Sequence, residues 1–536
     1  CIRDSIHVER TPARPGRHGS WPAWADPDLV TAYQRLGVSA PWIHQQQAAE
    51  ALHAGRHTVI ATGTGSGKSL AAWLPALSDV LAAQRVEGGQ ESRISSYARR
   101  PSVLYLSPTK ALSADQAAAL TRLVTELEAA QRPASSSHQP LRTVRVGTCD
   151  GDTPLPERDW ARAHADVVLT NPDFLHFSLL PGHERWTRFL RSLRYVVVDE
   201  CHAYRGLLGA HVSLVLRRRL RLVLRLRPEG PGPVVLCASA TAAEPALTAA
   251  RLIGVPPASL TAVTQDTAPA GERVLALWQP ALRDPWSTWE ESVSALAQAT
   301  DFPAADPLRS TPTQTSSAKA PEQPHACAVG PDTGDPTEDP SARRSAVVEA
   351  AELLVDLMSV GARALVFVRS RRSAEIVAEH ARHTLSLSLP ELVGTVRAYR
   401  GGYLPEERRA LETDLRRGRL RALTTTNALE LGIDVTGLDA VIIAGWPGTR
   451  VSLGQQAGRA GRAGSRGLAV LIASDNPLDA YLVHHPDEVF AAPEATVFDP
   501  ANPYVLAPHL CAAASESPLR GEDLELFGLD DESFLE

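Results

Sequence analysis

A glycine-rich run near the start of the chain carries the residue types that bind phosphate groups. It reads Ala-Thr-Gly-Thr-Gly-Ser-Gly-Lys-Ser from Ala61 to Ser69, between an apolar segment and an alanine-rich one. Glycines let the backbone turn until several N–H groups face one anion, and the N-terminus of a following helix adds positive potential. Lys68 would reach the β and γ phosphates of a nucleotide, and the Ser69 hydroxyl would ligate Mg²⁺.

This run departs from the strict phosphate-loop pattern at Thr62, where the pattern has glycine. The alternative is a glycine-rich turn that binds nothing, which the apolar segment before the run and the helical segment after it disfavour. The residues predicted to bind the nucleotide here are Thr62, Gly63, Thr64, Gly65, Ser66, Gly67, Lys68 and Ser69.

A pair of carboxylates ends another apolar run. The segment from Tyr195 to Val198 is followed by Asp199, Glu200, Cys201 and His202. Because α/β sheets present ligand-contacting groups at the carboxyl ends of their strands, we expect Asp199 to hold Mg²⁺ and Glu200 to orient and deprotonate the attacking water. The alternative is a helix-capping Asp199 beside a surface Glu200. Together with the glycine-rich run, the pair predicts nucleotide hydrolysis.

Short apolar runs alternate with helical stretches in two blocks, which is typical of α/β folds with helix-covered parallel sheets. Strands are predicted at 57–61, 103–107, 144–148, 167–170, 195–198 and 234–237, and again at 364–368, 394–398, 422–425, 440–443 and 469–472. Residues 301–340 are rich in Pro and polar residues, which predicts a disordered insertion. The expected organisation is an N-terminal extension (1–40), a first domain (41–270), a linker with the insertion (271–345), a second domain (346–490) and the start of an incomplete C-terminal region (491–536).

The composition of the chain excludes some classes of function. The formal net charge of −7 argues against polyanion binding by the whole surface but leaves room for a local basic cleft. The six cysteines contain no C-x-x-C pair, and no apolar stretch is long enough to span a membrane. We therefore expect a cytoplasmic protein with no membrane partner.

Seven further short motifs follow a fixed order along the chain. They are Trp42-Ile43-His44-Gln45, Ser107-Pro108-Thr109-Lys110-Ala111-Leu112, Thr170-Asn171-Pro172-Asp173, Ser239-Ala240-Thr241, Leu365-Val366-Phe367-Val368-Arg369-Ser370, the run from Thr425 to Asp434, and the run from Gln455 to Arg462. In this order they resemble the Q motif and motifs Ia, Ib, III, IV, V and VI of superfamily 2 helicases of the DEAD/DEAH-box type. The resemblance implies two tandem RecA-like domains of the P-loop NTPase class that clamp ATP and Mg²⁺ between them.

The resemblance also implies a role for each motif. Gln45 would read the adenine edge, with Trp42 stacking on it, and Gly432 and Asp434 would complete the ATP site. Gln455, Arg459 and Arg462 would act in catalysis. The residues that would couple hydrolysis to strand binding are His202, Ser239 and Thr241, although His202 could instead only cap its turn. The expected nucleic-acid contacts are Pro108, Thr109, Lys110, Thr170, Asn171, Arg369, Ser370, Arg400 and Thr426.

Physical reasoning supports a catalytic role for the two arginines. A phosphoryl-transfer transition state spreads negative charge over the γ oxygens, and a guanidinium group from a second domain stabilises it. Arg459 and Arg462 belong to the second block, so they reach the nucleotide only when the two domains meet. On spacing alone, a basic surface loop remains the alternative.

Finer details resemble the DNA-repair helicases of the mitomycin repair factor A type. They are Ala203-Tyr204-Arg205-Gly206, Tyr399-Arg400-Gly401-Gly402-Tyr403, Trp446-Pro447-Gly448-Thr449 and Asn502-Pro503-Tyr504. This resemblance implies a monomeric 3′→5′ translocase that acts in DNA repair on single-stranded or forked DNA. It also implies a C-terminal four-cysteine zinc domain. The tail contains Cys511 alone, so we expect the chain to be incomplete at its C-terminus.

Two alternatives remain open on the motifs alone. One is an RNA-dependent ATPase, and the other is a nucleic-acid-binding module without catalysis, which the presence of Lys68, Asp199 and Glu200 disfavours. The arginine-rich run from Arg217 to Arg227 could also bind nucleic acid. We instead expect a helix with a leucine core face and an arginine face toward solvent.

Overall fold

The computed structural model describes residues 5–87, 100–131, 143–228, 230–282, 343–430, 437–461 and 464–529. These residues form two seven-stranded sheets, each packed against helices. The predicted α/β class with two parallel-sheet domains is therefore confirmed. The predicted insertion at 301–340 lies outside the described residues. Within the described ranges, no helix is both long enough and apolar enough to cross a membrane.

The strands, in chain order, are β1 (Ser5–Thr11), β2 (His57–Ala61), β3 (Ser102–Leu106), β4 (Val146–Cys149), β5 (Val167–Thr170), β6 (Leu193–Val198), β7 (Val234–Ser239), β8 (Leu260–Val263), β9 (Arg273–Trp278), β10 (Ala364–Phe367), β11 (Val396–Tyr399), β12 (Ala422–Thr425), β13 (Ala440–Ala444) and β14 (Gly467–Ile472).

The helices, in chain order, are α1 (Pro27–Arg35), α2 (Ile43–His53), α3 (Ser69–Glu87), α4 (Lys110–Ala130), α5 (Leu155–His164), α6 (Pro172–Phe174), α7 (Thr187–Arg191), α8 (Gly206–Leu226), α9 (Pro245–Ile253), α10 (Ala346–Ser359), α11 (Arg371–Ser388), α12 (Pro405–Arg416), α13 (Arg450–Ala457), α14 (Pro477–His484), α15 (Pro486–Val489), α16 (Pro503–Glu516) and α17 (Glu522–Phe527).

The first sheet is entirely parallel and has the strand order β4-β5-β3-β6-β7-β2-β8. Every residue of the central strand β3 is buried, as is usual for parallel strands covered by helices on both faces. The edge strand β8 was not predicted, because its residues are mostly half-buried or exposed and show no strong apolar run.

The second sheet has the order β1-β9-β14-β13-β10-β12-β11, in which only β1 runs antiparallel to its neighbour. Two of its strands come from outside the segment 346–490 that was predicted as the second domain. Strand β9 lies in the predicted linker, and β1 lies in the predicted N-terminal extension and pairs with β9. Local patterning could not reveal this, because pairing at a sheet edge joins residues that are distant in sequence.

Residues that cap helices also fix the loops at the carboxyl ends of the strands. Thr109 follows β3 and accepts a hydrogen bond from the Leu112 amide, while Asn171 follows β5 and accepts one from the Phe174 amide. Ser370 caps α11 after β10 in the same way. Each cap holds a strand-to-helix loop in one conformation at the edge of the sheet where ligands bind.

The C-terminal segment returns from the second domain to the first. The Gly206 amide donates to the Val497 carbonyl over 2.8 Å, and Phe498 is buried in the first domain's core. Helices α16 and α17 pack on α8. The two domains are therefore joined at both ends of the chain, by β1 in the second sheet and by this segment on the first.

The expected arginine face toward solvent on α8 is wrong. Arg218, Arg219 and Arg221 are almost fully buried. Arg218 pairs with Glu516, and Arg221 Nε lies 2.9 Å from Asp523 Oδ1. The carboxylates that neutralise Arg218 and Arg221 lie about 300 residues away in sequence, so the local pattern suggested a solvated face instead.

Candidate active site

The glycine-rich loop links β2 to α3 and presents its backbone amides to one side. Gly65 and Gly67 have φ of +82° and +75°, in the left-handed region that glycine tolerates. A Cβ at Gly67 would lie 2.4 Å from the Gln45 Nε2 atom, so the close approach also requires glycine. Among the described residues, the amides of Gly65, Gly67 and Lys68 have no hydrogen-bond partner. These donors at a helix N-terminus fit a polyphosphate.

Lys68 folds back over this loop. Its ammonium group donates to the carbonyl oxygens of Thr62 and Gly63, each over 3.0 Å. The Thr62 hydroxyl is buried and lies 2.7 Å from the Ser66 hydroxyl. The residue that departs from the strict phosphate-loop pattern therefore ties the two ends of the loop together.

A segment after β8, which no sequence pattern predicted, supports the loop from behind. Asp266 accepts a hydrogen bond from the Gly63 amide over 3.2 Å. His44 Nδ1 accepts one from the Thr267 amide, and its Nε2 lies 3.1 Å from the Ser66 carbonyl oxygen. Burial lowers the pKa of His44, so the neutral ring donates through Nε2. No local motif marks Asp266 or Thr267, because their role depends on contacts with distant residues.

Gln45 is bound to the loop on its other side. Its Nε2 donates to the carbonyl oxygens of Ser66 and Gly67, and its Oε1 accepts from the Trp42 amide over 2.8 Å. The Trp42 ring is stacked on His18, with ring centroids 4.0 Å apart. Gln45 thus lies beside the phosphate loop, and its contact with adenine stays a prediction.

Asp199 and Glu200 follow β6 directly and lie in a buried polar group. Asp199 Oδ1 accepts a hydrogen bond from the Glu200 amide over 2.9 Å, and Oδ2 accepts one from the Tyr105 hydroxyl. Burial, and then the Glu200 charge, raise the pKa of Asp199 to about 6, while the Tyr105 hydrogen bond and Lys68 lower it. Tyr105 on β3 was not predicted from the sequence, because an apolar strand gives no sign of which hydroxyl reaches a carboxylate.

Glu200 has the only positive φ among the non-glycine residues that the structure describes, at 47°. A left-handed conformation costs a residue with a Cβ about 1–2 kcal/mol. Such strain persists where the surroundings hold the residue in place, and it often marks functional positions. Here it turns the chain sharply after Asp199 and sets Glu200 Oε2 3.4 Å from His202 Nδ1.

His202 joins the two domains. Its Nδ1 accepts a hydrogen bond from the Ala240 amide and lies 3.4 Å from the Ser239 hydroxyl. Its Nε2 lies 2.9 Å from the side-chain amide of Gln455, which belongs to the second domain. Burial, and then Lys68, lower the pKa of His202 to about 4. The neutral ring therefore carries its proton on Nε2, and Gln455 must offer its carbonyl oxygen to it.

Arg459 is buried next to this contact, on the second domain's side. Its side chain is 3% exposed, and its guanidinium donates to the main-chain carbonyl oxygen of Glu430. The Glu430 carboxylate accepts from the Ser452 hydroxyl over 2.7 Å and from Gln456 Nε2 over 2.8 Å. The other residues predicted from this part of the sequence lie outside the described ranges: Arg462, Gly432 and Asp434.

In the first domain, the expected strand contacts follow the neighbouring strands β3 and β5. Thr109 and Lys110 are exposed, and Lys110 Nζ lies 2.6 Å from Asp152 Oδ2. Pro108 is half-buried, and Asn171 is buried as the cap of α6. Thr170 is fully buried, and its hydroxyl donates to the Cys149 carbonyl oxygen, so its side chain faces the sheet interior.

In the second domain, the expected strand contacts follow β10, β12 and β11, which are neighbours in the sheet. Arg369 donates to the Trp446 carbonyl oxygen and to Asp479, and over half of its side chain stays exposed. Ser370 is exposed, and Arg400 Nε donates to Glu375 over 2.8 Å. Thr426 is half-buried, while Thr241 of the first domain is exposed after β7.

Comparison with known proteins agrees with this arrangement. Residues 42–249 match the DEAD/DEAH box helicase family, and residues 349–464 match the helicase conserved C-terminal domain. The chain is 32% identical to the ATP-dependent helicase YprA of Bacillus subtilis, covering 94% of this chain and 55% of YprA. It is also 32% identical to the ATP-dependent helicase HRQ1 of Saccharomyces cerevisiae, covering 91% of this chain and 38% of HRQ1. The chain thus spans about half the length of these relatives or less.

A solved structure shows the same fold. The DUF1998 helicase MrfA bound to DNA and AMPPNP superposes with a TM-score of 0.77 and 30% sequence identity, covering 99% of this chain and 62% of MrfA. The chain contains two helicase domains in this order, with a phosphate loop, an acidic box and an inter-domain contact. It therefore belongs to superfamily 2, among the helicases of the DEAD/DEAH-box type.

Proposed function

We propose that the chain is the motor of an ATP-dependent DNA helicase that moves 3′→5′ along single-stranded DNA and acts in DNA repair. The observation that carries the proposal is the contact between His202 and Gln455 beside the phosphate loop. It joins the residues expected to hydrolyse ATP to the second domain. The names of YprA, HRQ1 and MrfA support the helicase activity, and the MrfA complex supports DNA as the substrate. Direction and repair rest on the resemblance to the mitomycin repair factor A type.

The residues of the site fit ATP with Mg²⁺. Bound ATP supplies the phosphoryl group whose transfer to water releases the energy for movement. Lys68 would leave the carbonyl oxygens of its own loop for the phosphates, because an anion is a stronger partner than two neutral oxygens. Ser69 and Asp199 would hold Mg²⁺, and Glu200 would take the proton of the attacking water.

Movement would follow from the relative motion of the two domains. Both domains present loops at the carboxyl ends of their strands, and these loops would grip the DNA backbone without reading its sequence. His202 and Gln455 would transmit the state of the nucleotide from one domain to the other. Because one chain supplies both halves of the site, we propose that it acts as a monomer.

The direct test measures ATP hydrolysis by the chain alone, with single-stranded DNA and with single-stranded RNA. We expect DNA to stimulate the rate of ATP hydrolysis. We expect the Lys68→Ala variant to hydrolyse ATP about 100-fold or more slowly, because a preorganised cation at the transferred phosphoryl group is removed. Stimulation by RNA alone would favour an RNA-dependent ATPase. Unwinding of partial duplexes with a 3′ or a 5′ single-stranded tail would then decide the direction.

Tyr105 positions Asp199, so Tyr105→Phe should weaken the effect of Mg²⁺ on nucleotide binding. Loss of a hydrogen bond to a charged group costs about 1.5–3 kcal/mol. Part of this free energy should appear as a smaller gain in nucleotide affinity when Mg²⁺ is added. The measurement is the binding of a fluorescent ATP analogue with Mg²⁺ and with EDTA. Affinity in EDTA should stay unchanged.

The matched control is Tyr195→Phe. Tyr195 is also buried in the first sheet, and its hydroxyl donates to Asp79 over 2.6 Å, outside the group around Asp199. If both variants respond to Mg²⁺ as the wild type does, Tyr105 has no role in positioning Asp199.

A further inference from the structure

The Ser69 hydroxyl, which was predicted to ligate Mg²⁺, has a hydrogen-bond partner outside the phosphate loop. It donates to Gln116 Oε1 over 3.1 Å and has no other hydrogen-bond partner among the described residues. Gln116 lies on α4, 47 residues further along the chain. It follows the Ser107–Leu112 run, and no sequence pattern predicted a role for it.

Gln116 interrupts the apolar face of α4. Leu112 and Leu120 of this helix are buried, and they lie four residues before and four residues after Gln116. Side chains at this spacing share one face of a helix. Gln116 is half-buried between these two leucines. A polar side chain taken out of water costs free energy unless it is hydrogen-bonded, and the partner of Gln116 is Ser69.

Both helices that meet in this contact are fixed by the core of the first domain. Ser69 is the first residue of α3, and Leu70 of α3 belongs to the same hydrophobic cluster as Leu120 of α4. Helix α4 also packs against α1, β4 and β5. The hydrogen bond between Ser69 and Gln116 therefore joins two rigid elements, and it gives the Ser69 hydroxyl one orientation.

This orientation suits a metal ligand. A hydroxyl group has one proton and two lone pairs, so a proton that points to an acceptor leaves the lone pairs directed elsewhere. Mg²⁺ requires a nearly ideal octahedral arrangement of oxygen ligands, and a ligand held in one orientation meets this requirement better than a rotating one. Side chains that orient a metal ligand usually contribute about 10–100-fold to metal affinity or activity.

The other predicted Mg²⁺ ligand is held by different residues. Asp199 Oδ1 accepts a hydrogen bond from the Glu200 amide, and Oδ2 accepts one from the Tyr105 hydroxyl. In the part of the chain that the structure describes, Asp199 has no hydrogen bond with Ser69. Two separate elements therefore position the two ligands: β3 acts through Tyr105 on Asp199, and α4 acts through Gln116 on Ser69.

We propose that Gln116 is a positioning residue for Mg²⁺, whose side-chain carbonyl oxygen accepts the Ser69 proton and leaves the lone pairs of Ser69 for the metal. This inference rests on the proposed function, since it assumes that Mg²⁺ enters the site with ATP. Gln116 acts only through Ser69. It should therefore set how strongly Mg²⁺ is bound, without changing how the nucleotide binds in the absence of metal.

The test replaces Gln116 with leucine, which suits the apolar face of α4 but cannot accept a proton. The measurement is the binding of a fluorescent ATP analogue while Mg²⁺ is titrated. We expect the Mg²⁺ concentration that gives half of the full gain in affinity to rise by about 10–100-fold. The affinity in EDTA should stay unchanged. An equal loss of affinity in EDTA would show general damage to the phosphate loop and overturn the inference.

The Gln116→Glu variant separates this role from a purely structural one. Glutamate keeps an acceptor oxygen for the Ser69 proton but lacks the amide donor. This variant should therefore need no more Mg²⁺ than the wild type. If it needs as much Mg²⁺ as Gln116→Leu, the amide group and not the carbonyl oxygen is required at this position, and the inference is overturned.

The matched control is Gln84→Leu on α3. The Gln84 side chain also makes one amide hydrogen bond, to the Thr143 carbonyl oxygen over 2.8 Å, but it lies at the opposite end of α3 from Ser69. This variant should need the same Mg²⁺ concentration as the wild type. If Gln116→Leu also does, the inference is overturned and the proposed function stands. If the wild type does not bind the analogue with or without Mg²⁺, the proposed function fails and takes the inference with it.

Discussion

Replacing Glu200 with glutamine should reduce DNA-stimulated ATP hydrolysis by about 10²–10⁴-fold, the usual contribution of a general base. Glutamine has the same shape as glutamate, but its amide cannot take a proton from the attacking water. The contacts of Asp199 with Tyr105 and with the residue 200 amide would remain, because neither uses the Glu200 carboxylate. ATP binding should therefore be retained. The measurement is the rate constant of single-turnover hydrolysis, together with nucleotide affinity.

The matched control for this variant is Glu128→Gln in the first domain. Glu128 is half-buried and accepts a hydrogen bond from the Thr143 hydroxyl over 2.7 Å, but it lies near the C-terminal end of α4, the end opposite the Thr109 cap. It should hydrolyse ATP at the wild-type rate. If Glu200→Gln hydrolyses ATP at a rate close to that of this control, Glu200 is not the general base.

Replacing Arg459 with lysine should lower the rate of hydrolysis by about 10³-fold or more, the effect expected for a transition-state arginine. Lysine keeps the charge but lacks the planar guanidinium that can bind two oxygens at once. Arg459 now donates to the Glu430 carbonyl oxygen, so it would have to turn toward the nucleotide when ATP binds. Nucleotide affinity should change far less than the rate.

The control for the arginine is Arg450→Lys on α13, in the same part of the second domain. Arg450 is held by Glu488 and Glu494 and contacts no residue of the first domain within the described ranges. This variant should retain hydrolysis. Because Arg459 is buried, thermal unfolding of both variants should be recorded. A fall in rate that matches a loss of folded protein would contradict a catalytic role for Arg459.

Much of the site could be predicted from the sequence because its chemistry is local. The phosphate loop needs glycines, a lysine and a serine within a few consecutive residues, between a strand and a helix. Asp199 and Glu200 need only a strand that ends where the sheet presents its ligands. Since strand, turn and helix patterns act over short stretches of chain, the order of the elements was predictable too. Most predicted strands were therefore recovered within a few residues.

The remaining features needed the tertiary structure. Asp266 and Thr267 support the phosphate loop from about 200 residues away, and no pattern at either position marks this role. Tyr105 resembles any other residue of a buried strand until its hydroxyl is seen beside Asp199.

Long-range pairing also decided the architecture around the site. β1 lies at the edge of the second sheet and β9 lies between β1 and β14, because strands pair with partners that are distant in sequence. Arg218 and Arg221 of α8 could be buried because Glu516 and Asp523 return to neutralise them, and without these partners both side chains would have needed solvent. The sequence by itself determined the local chemistry of ATP binding and the order of the elements. The tertiary structure decided which distant residues hold that chemistry in place, because hydrogen bonds and ion pairs depend on distance in space and not along the chain.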